Sequence, residues 1–412
     1  MTIYSRSGSP VQQTPRNYLT VGAESGAMTD GDHLLMDPGP VQLTDGIRNA
    51  LAGPMVSHRS PEFEDVHAKC QRGVAAAFGT DTAPVLVNGN GWMGVETAMA
   101  GVLGPDDEVV TIQTGKFGRE NGDLAERYAA RVRRIRQEWG TPIDLGRLRD
   151  ELTDDTDVVT MVHCETSTGL VNSVPEVAAL ADEHDALLLV DGVSSIGGER
   201  FAFDEWGVDV AVTASQKALG GPPGISAVAL SDRARERVSD TGCPFSLDLG
   251  AYLDELERNR TPSTAPVPIY VALAKAIEPY AESGVDARIA SQRRLASALR
   301  AGMGVLGIEP FPRSGDHATL SNTVQVLALP DGISEGTLLD GLAARDVSVR
   351  GGLGRLEGAT VRIATMGAET GIDDTVRTID AVGDVLVDEG LVPTSATVAD
   401  ARTTAREAFS ED

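Results

Sequence analysis

The sequence predicts an α/β protein: a large domain built on a mostly parallel sheet, followed by a smaller α+β domain. Three observations carry this. From residue 85 to residue 238, short apolar runs alternate with amphipathic stretches, the pattern of strands joined by crossover helices. Runs such as Leu187-Leu188-Leu189-Val190 have no polar alternation, as expected of strands covered on both faces. After Val267 the pattern changes to two long helical periods and then a mixed series.

Taken in order, strands are predicted over residues 85–87, 108–113, 158–163, 186–190, 208–213 and 225–230. Helices are predicted over 91–103, 118–128, 175–184 and 232–238. Helical periods at 269–283 and 286–301 lead into strand 323–328, helix 334–345, strands 347–350 and 360–364, and helix 373–389. Residues 1–30 mix Ser, Gly, Thr, Gln and Pro without period and are expected to be a flexible tail. The large domain is therefore set at 31–284, with an N-terminal arm, and the small domain at 285–392. Residues 393–412 are expected to be an acidic tail, forming at most a short exposed helix.

Length and composition bound the function. At roughly 150 residues per domain, 412 residues hold two or three domains. No apolar run reaches the 18 or so residues of a membrane span, and the polar first 30 residues lack the apolar core of a secretory signal. Cys70, Cys164 and Cys243 are too few and scattered for a disulfide framework or zinc site. The expectation is a cytoplasmic protein. The net charge is −26, which argues against nucleic acid or anionic lipid as partner. Only four lysines occur, Lys69, Lys116, Lys217 and Lys275, the other basic residues being arginine. Acid-rich, lysine-poor surfaces resemble those of halophilic proteins, where salt screens the repulsion; a GC-rich genome would also favour Arg over Lys.

Five segments carry candidate chemistry. Asp191 ends the apolar run 187–190, at the crevice where open α/β sheets bind ligands; there it can serve a metal, a ribose or a protonated ring nitrogen, or cap a turn. Lys217 follows the strand at 208–213 and precedes Gly220-Gly221-Pro222-Pro223-Gly224. Desolvation there would lower its pKa and free its amine to attack a carbonyl. Asn88-Gly89-Asn90-Gly91-Trp92 opens a helix after a strand, the makings of an anion cup, but it lacks the Lys and Ser/Thr of a P-loop. His163 to Gly169 places hydroxyls at the same edge, with no third ligand to make a metal site of His163 and Glu165. Arg362 sits inside the apolar Val361-Arg362-Ile363, where a charge is costly unless an anion pairs with it. A substrate carboxylate or a structural salt bridge would serve.

Together with Pro38-Gly39-Pro40 and Gly351–Gly354, these segments, from about Leu34 to Glu389, resemble in order the class V aminotransferases, pyridoxal-phosphate (PLP) enzymes of fold type I. The nearest subgroup is the alanine/serine–glyoxylate (serine–pyruvate) aminotransferases. The resemblance implies pyridoxal 5'-phosphate held as a Schiff base by Lys217, with Asp191 pairing its ring nitrogen, Val193 beneath the ring and Phe117 stacked opposite. Asn90, Gly91, Trp92 and Gln216 match the phosphate cup; relatives sometimes carry His in place of Trp92, and often Trp in place of Phe117. Thr166 matches the hydroxyl near the ring's phenolic oxygen. Thr264 matches a phosphate ligand given to the other subunit of a homodimer, and Arg362 matches the arginine that grips the α-carboxylate of both substrates. The implied reaction moves an amino group from alanine, serine or a similar amino acid to glyoxylate or pyruvate. Aspartate, ureidoglycine or an aminophosphonate are alternative donors, with Arg59 or Arg350 as a second cation for an acidic one. A class V lyase or desulfurase would need a thiol on a mobile loop, and Cys243 is the one cysteine after Lys217.

Overall fold

The computed structural model describes residues 33–238, 243–367, 370–392 and 394–411; the tail expected over 1–30 lies outside them. Seven strands form the central sheet: β1 (Val85–Asn88), β2 (Glu108–Gln113), β3 (Arg131–Arg136), β4 (Val158–Val162), β5 (Leu187–Asp191), β6 (Val210–Ala214) and β7 (Ile225–Leu230). Their order is β1-β7-β6-β5-β4-β2-β3. β7 runs antiparallel to both neighbours, and the other pairs are parallel. The continuous apolar runs now have their cause. Leu188 and Val190 of β5 join one buried cluster, Leu187 and Leu189 another on the opposite face.

Helices cover both faces. On one side lie α1 (Pro61–Phe78), with Phe63, Val74 and Phe78 fully buried, and further helices at Pro175–Asp182 and Val267–Ala276. On the other lie α2 (Gly91–Val102) and the apolar end of α3 (Lys116–Ala125). The sequence pattern did not reveal β3. Its run Arg-Val-Arg-Arg-Ile-Arg buries only Ile135, because it is an edge strand. Its arginines pair outward, Arg131 with Glu108 at 3.1 Å and Arg134 with Asp123 at 2.8 Å, a charged edge that resists further strand pairing.

The smaller sheet joins β8 (Val324–Ala328), β9 (Arg350–Gly351) and β10 (Thr360–Ala364), with β10 in the middle and all pairs antiparallel. The predicted strand 347–350 is split. Val347–Ser348 instead pairs in parallel with Leu34–Leu35, so the N-terminal arm begins in the small domain's core, where Leu34 and Met36 are buried. The long helix Glu278–Val305 breaks at Gly284, with φ 77°, the last residue of the expected large domain. The C-terminal tail is corrected: Ser395–Glu411 is a helix. Val398, Ala401 and Ala405 bury a narrow face in the small domain's core, and a Cβ at Gly302 would stand 3.1 Å from the Ala401 carbonyl and 2.5 Å from the Ile379 side chain, so glycine permits the close packing there. The stripe is made of small residues among Thr and Asp, which hid it from the hydrophobic pattern. No helix among the described residues is long and apolar enough to cross a membrane.

Candidate active site

A cavity of about 310 Å³ opens at the carboxyl ends of β4, β5 and β6, the crevice that parallel sheets offer to ligands. It brings together Asn90, Gly91, Trp92, Phe117, Thr166, Asp191, Val193, Gln216 and Lys217. Arg362 and Thr264 lie off its lining.

Asp191 is the last residue of β5 and is buried. Its Oδ1 accepts from the Val193 N–H at 3.0 Å and its Oδ2 from Asn121 Nδ2 at 3.2 Å. Burial holds its carboxyl above the usual carboxylate range, opposed in part by these two hydrogen bonds and the charge of Lys217. Lys217 stands in the turn after β6, which is closed by bonds from Gly220 N to Lys217 O at 2.9 Å and from Gly221 N to Ser215 O at 2.8 Å. Its Nζ donates to the Pro38 carbonyl at 2.6 Å. Burial, and then the nearby Arg362 charge, push the amine down to about 8.

Phe117 is placed from behind. Buried Glu165 accepts from the N–H groups of Phe117 at 3.2 Å, Gly118 at 3.0 Å and Ser167 at 3.1 Å, fixing the first turn of α3. Trp92 lies 6.1 Å from the Phe117 ring, tilted by 33°, and Lys116 sits over that ring at 5.1 Å. Thr166 and Ser194 share a hydroxyl contact of 2.5 Å.

The expected phosphate cup needs one adjustment. Asn90 is exposed, and its Oδ1 accepts from Met93 N at 3.3 Å. It caps α2, so its acceptor serves the helix. The start of α2 leaves backbone N–H groups that an anion could take. Gly91 cannot carry a side chain there, since a Cβ would stand 2.9 Å from Val193. Gln216 Oε1 is buried with no hydrogen-bond partner among the described residues, a polar group left for a ligand to satisfy. A buried carboxylate, an amine of lowered pKa, aromatic walls and a helix start with an unsatisfied amide fit PLP.

Arg362 lies in β10, buried, its Nε donating to Gly351 O at 2.8 Å. Its two other nitrogens have no hydrogen-bond partner among the described residues. Burial pushes its pKa down to about 10, against the attraction of Asp37. Thr264 is exposed. Arg59 donates to the carbonyls of Thr261 at 2.8 Å and Pro262 at 3.4 Å, and Arg350 pairs with Asp37 at 2.6 Å. Sequence reasoning missed Pro38 as the lysine's partner, and Asn121, Glu165 and Ser194 as supports. Asn121 carried a faint signal: it lies four residues after Phe117, one helical turn along the same face. No group of His, Cys, Asp and Glu able to hold a metal occurs among the described residues.

Residues 42–366 match the family model described as aminotransferase class-V. An uncharacterised aminotransferase of Methanocaldococcus jannaschii is 34% identical over 340 residues, covering 81% of this chain and 88% of that protein. The L-aspartate–glyoxylate aminotransferase of Paracoccus denitrificans is 32% identical, covering 81% of this chain and 86% of that protein. The crystal structure of pyridoxamine–pyruvate aminotransferase from Mesorhizobium loti superposes with a TM-score of 0.86 at 26% identity, covering 92% of this chain and 98% of the other. The chain belongs to the class-V aminotransferases, PLP-dependent transaminases of fold type I.

Proposed function

We propose that the enzyme transfers the amino group of a small neutral amino acid, alanine or serine, to a 2-oxo acid such as glyoxylate or pyruvate. The observation that carries this is the pairing of a lowered-pKa amine at Lys217 with an Arg362 fork that holds no side-chain anion among the described residues. Arg59 already donates to the Thr261 and Pro262 carbonyls and Arg350 is already paired with Asp37, which disfavours either as the site for the second carboxylate of aspartate. Initial rates with alanine, serine, aspartate, ureidoglycine and an aminophosphonate, each against glyoxylate, pyruvate and oxoglutarate, test the reading. Aspartate outpacing alanine and serine would overturn it. A desulfurase reading is disfavoured because Cys243, the one cysteine after Lys217, is absent from the cavity lining, and the Cys70 and Cys164 thiols are buried; the Cys164 thiol, which lines the cavity, is pushed up to about 12.

Bound PLP supplies an electron sink for the charge left when the α-proton departs. The chain's residues do the rest. Arg362 holds the α-carboxylate of donor and acceptor through a bidentate contact. Lys217 would hold PLP and, with the donor bound, would take the α-proton as base and return it as acid. Asp191 keeps the ring nitrogen protonated, and Phe117 and Val193 confine the ring. Asp191→Asn should leave PLP bound but lower kcat by about two orders of magnitude or more, since a neutral amide cannot complete a buried ion pair. Near-normal turnover, measured at saturating donor, would refute that role.

The exposed Thr264 is assigned to the phosphate of a partner subunit's site in a homodimer. The charge of −26 with only four lysines supports a protein adapted to high salt. Circular dichroism and light scattering should show the folded dimer gaining stability from about 0.1 M to 1 M or more salt, as the Debye length falls from about 10 Å to about 3 Å. Equal stability at both ends would tie the composition to the genome alone.

A further inference from the structure

We infer that Asn121 is a positioning residue for Asp191, holding that carboxylate ionised and aimed at the cofactor's ring nitrogen. The inference rests on the ring-nitrogen role given to Asp191. Asn121 is buried on α3, one turn beyond Phe117, and reaches across to β5, where its Nδ2 donates to Asp191 Oδ2 at 3.2 Å. The other oxygen, Oδ1, takes the Val193 N–H at 3.0 Å. One donor on each oxygen fixes the carboxylate plane and leaves each with further acceptor capacity toward the cavity. The amide orientation is set by chemistry: turning it over would place an oxygen against a carboxylate.

The cost of the arrangement identifies its purpose. With Nδ2 given to Asp191, Asn121 Oδ1 is buried without a hydrogen-bond partner among the described residues. An unpaired buried acceptor destabilises a fold, so an apolar side chain would serve packing better at this position. What the asparagine provides is a donor to a carboxylate that burial pushes toward its neutral form. Among the described residues the charge that acts on Asp191 is that of Lys217, and this charge would come and go as Lys217 gives and takes a proton. The neutral donors then remain as the constant support. Because α3 also carries Phe117, whose backbone is pinned by Glu165, one short helix sets both the ring's stacking wall and the ring nitrogen's counter-ion.

The test uses the full chain with Asn121→Ala, Asn121→Asp and, in parallel, Asp191→Asn. PLP affinity is titrated into cofactor-free protein by absorbance, kcat and KM are measured across pH, and cofactor-free folding is followed by circular dichroism. Asn121→Ala is expected to weaken PLP binding about tenfold and lower kcat about tenfold, with donor KM unchanged. Asn121→Asp is isosteric and donates only while the introduced carboxyl holds a proton. Its kcat should approach the wild-type value at low pH and fall as that proton leaves, a limb absent from the wild-type and Asn121→Ala profiles, which share the titration of Lys217. If Asn121→Ala does not fold, the pH limb of Asn121→Asp decides. PLP affinity and kcat within twofold of wild type for Asn121→Ala, or an Asn121→Asp profile with the wild-type shape and no added limb, would overturn the inference. If Asp191→Asn also leaves turnover unchanged, the role of Asp191 itself is wrong; if Asp191→Asn is impaired and the Asn121 variants are not, only the present inference falls.

Discussion

Lys217→Ala is expected to abolish covalent attachment of PLP and to lower turnover about ten-thousandfold or more, the upper range for loss of a positioned acid–base group. Two features of the chain concentrate both roles on this one amine. The turn from Ser215 to Gly221 is closed on itself and holds the lysine stem, while the Pro38 carbonyl at 2.6 Å orients Nζ. Burial and the Arg362 charge then push the amine down to about 8. At pH 7.5 an amine titrating near 8 is roughly one quarter unprotonated, against about one in a thousand for an ordinary lysine near 10.4. The sign is testable: attachment of PLP by cofactor-free protein should speed up from pH 6.5 to about pH 8 and level off above it. Stopped-flow absorbance reads this directly. Borohydride reduction followed by peptide mapping should place the label on Lys217 in the wild type and nowhere in Lys217→Ala. Label on Lys69, Lys116 or Lys275 would refute the assignment. Lys116 is tied to Glu120 at 2.5 Å, and Lys275 pairs with Glu278, so neither competes on structural grounds.

The sheet was legible because its strands are covered on both faces. The run 108–113 is predicted and observed with the same ends, and so is 225–230. Where a strand meets solvent the signal fails: β3 is four arginines around two apolar residues, and its strand character comes from pairing with β2. The helix Ser395–Glu411 failed for the converse reason, since its buried face is built from a valine and alanines. In the site, residues fixed by local chain chemistry were readable: Asp191 at a strand end, Lys217 before a Gly/Pro turn, and Gly91 at a helix start. Residues that matter through a distant partner were not. Asn121 meets Asp191 across 70 positions of sequence, and Pro38 meets Lys217 across 179. Asn90 was read as part of the phosphate cup; Asn before a helical run is also the signature of an N-cap, and its Oδ1 forms that cap.

Arg362→Ala is expected to cost about 3–5 kcal/mol in kcat/KM for donor and acceptor alike, the usual loss when one partner of a buried charge pair is removed. The strand explains why so large a cost is available. Arg362 is buried in the middle strand of the small sheet, with Nε committed to Gly351 O at 2.8 Å. That single bond fixes the guanidinium plane and leaves its outer nitrogens for a planar anion, so little side-chain freedom is lost when a carboxylate docks. Arg362→Lys keeps a charge but neither the fork nor the same anchoring. It should fall between wild type and Arg362→Ala, with KM rising more than kcat falls. A second consequence separates substrate binding from damage to the fold. Because the Arg362 charge helps to depress the Lys217 amine, Arg362→Ala should shift the pH midpoint of PLP attachment upward from about 8, whereas Arg362→Lys should hold it near the wild-type value. Half-reaction titrations with alanine and with glyoxylate measure the first effect, and attachment rates against pH measure the second. Weakening of one substrate only would end the shared α-carboxylate role, and an unmoved midpoint in Arg362→Ala would show that burial alone lowers Lys217.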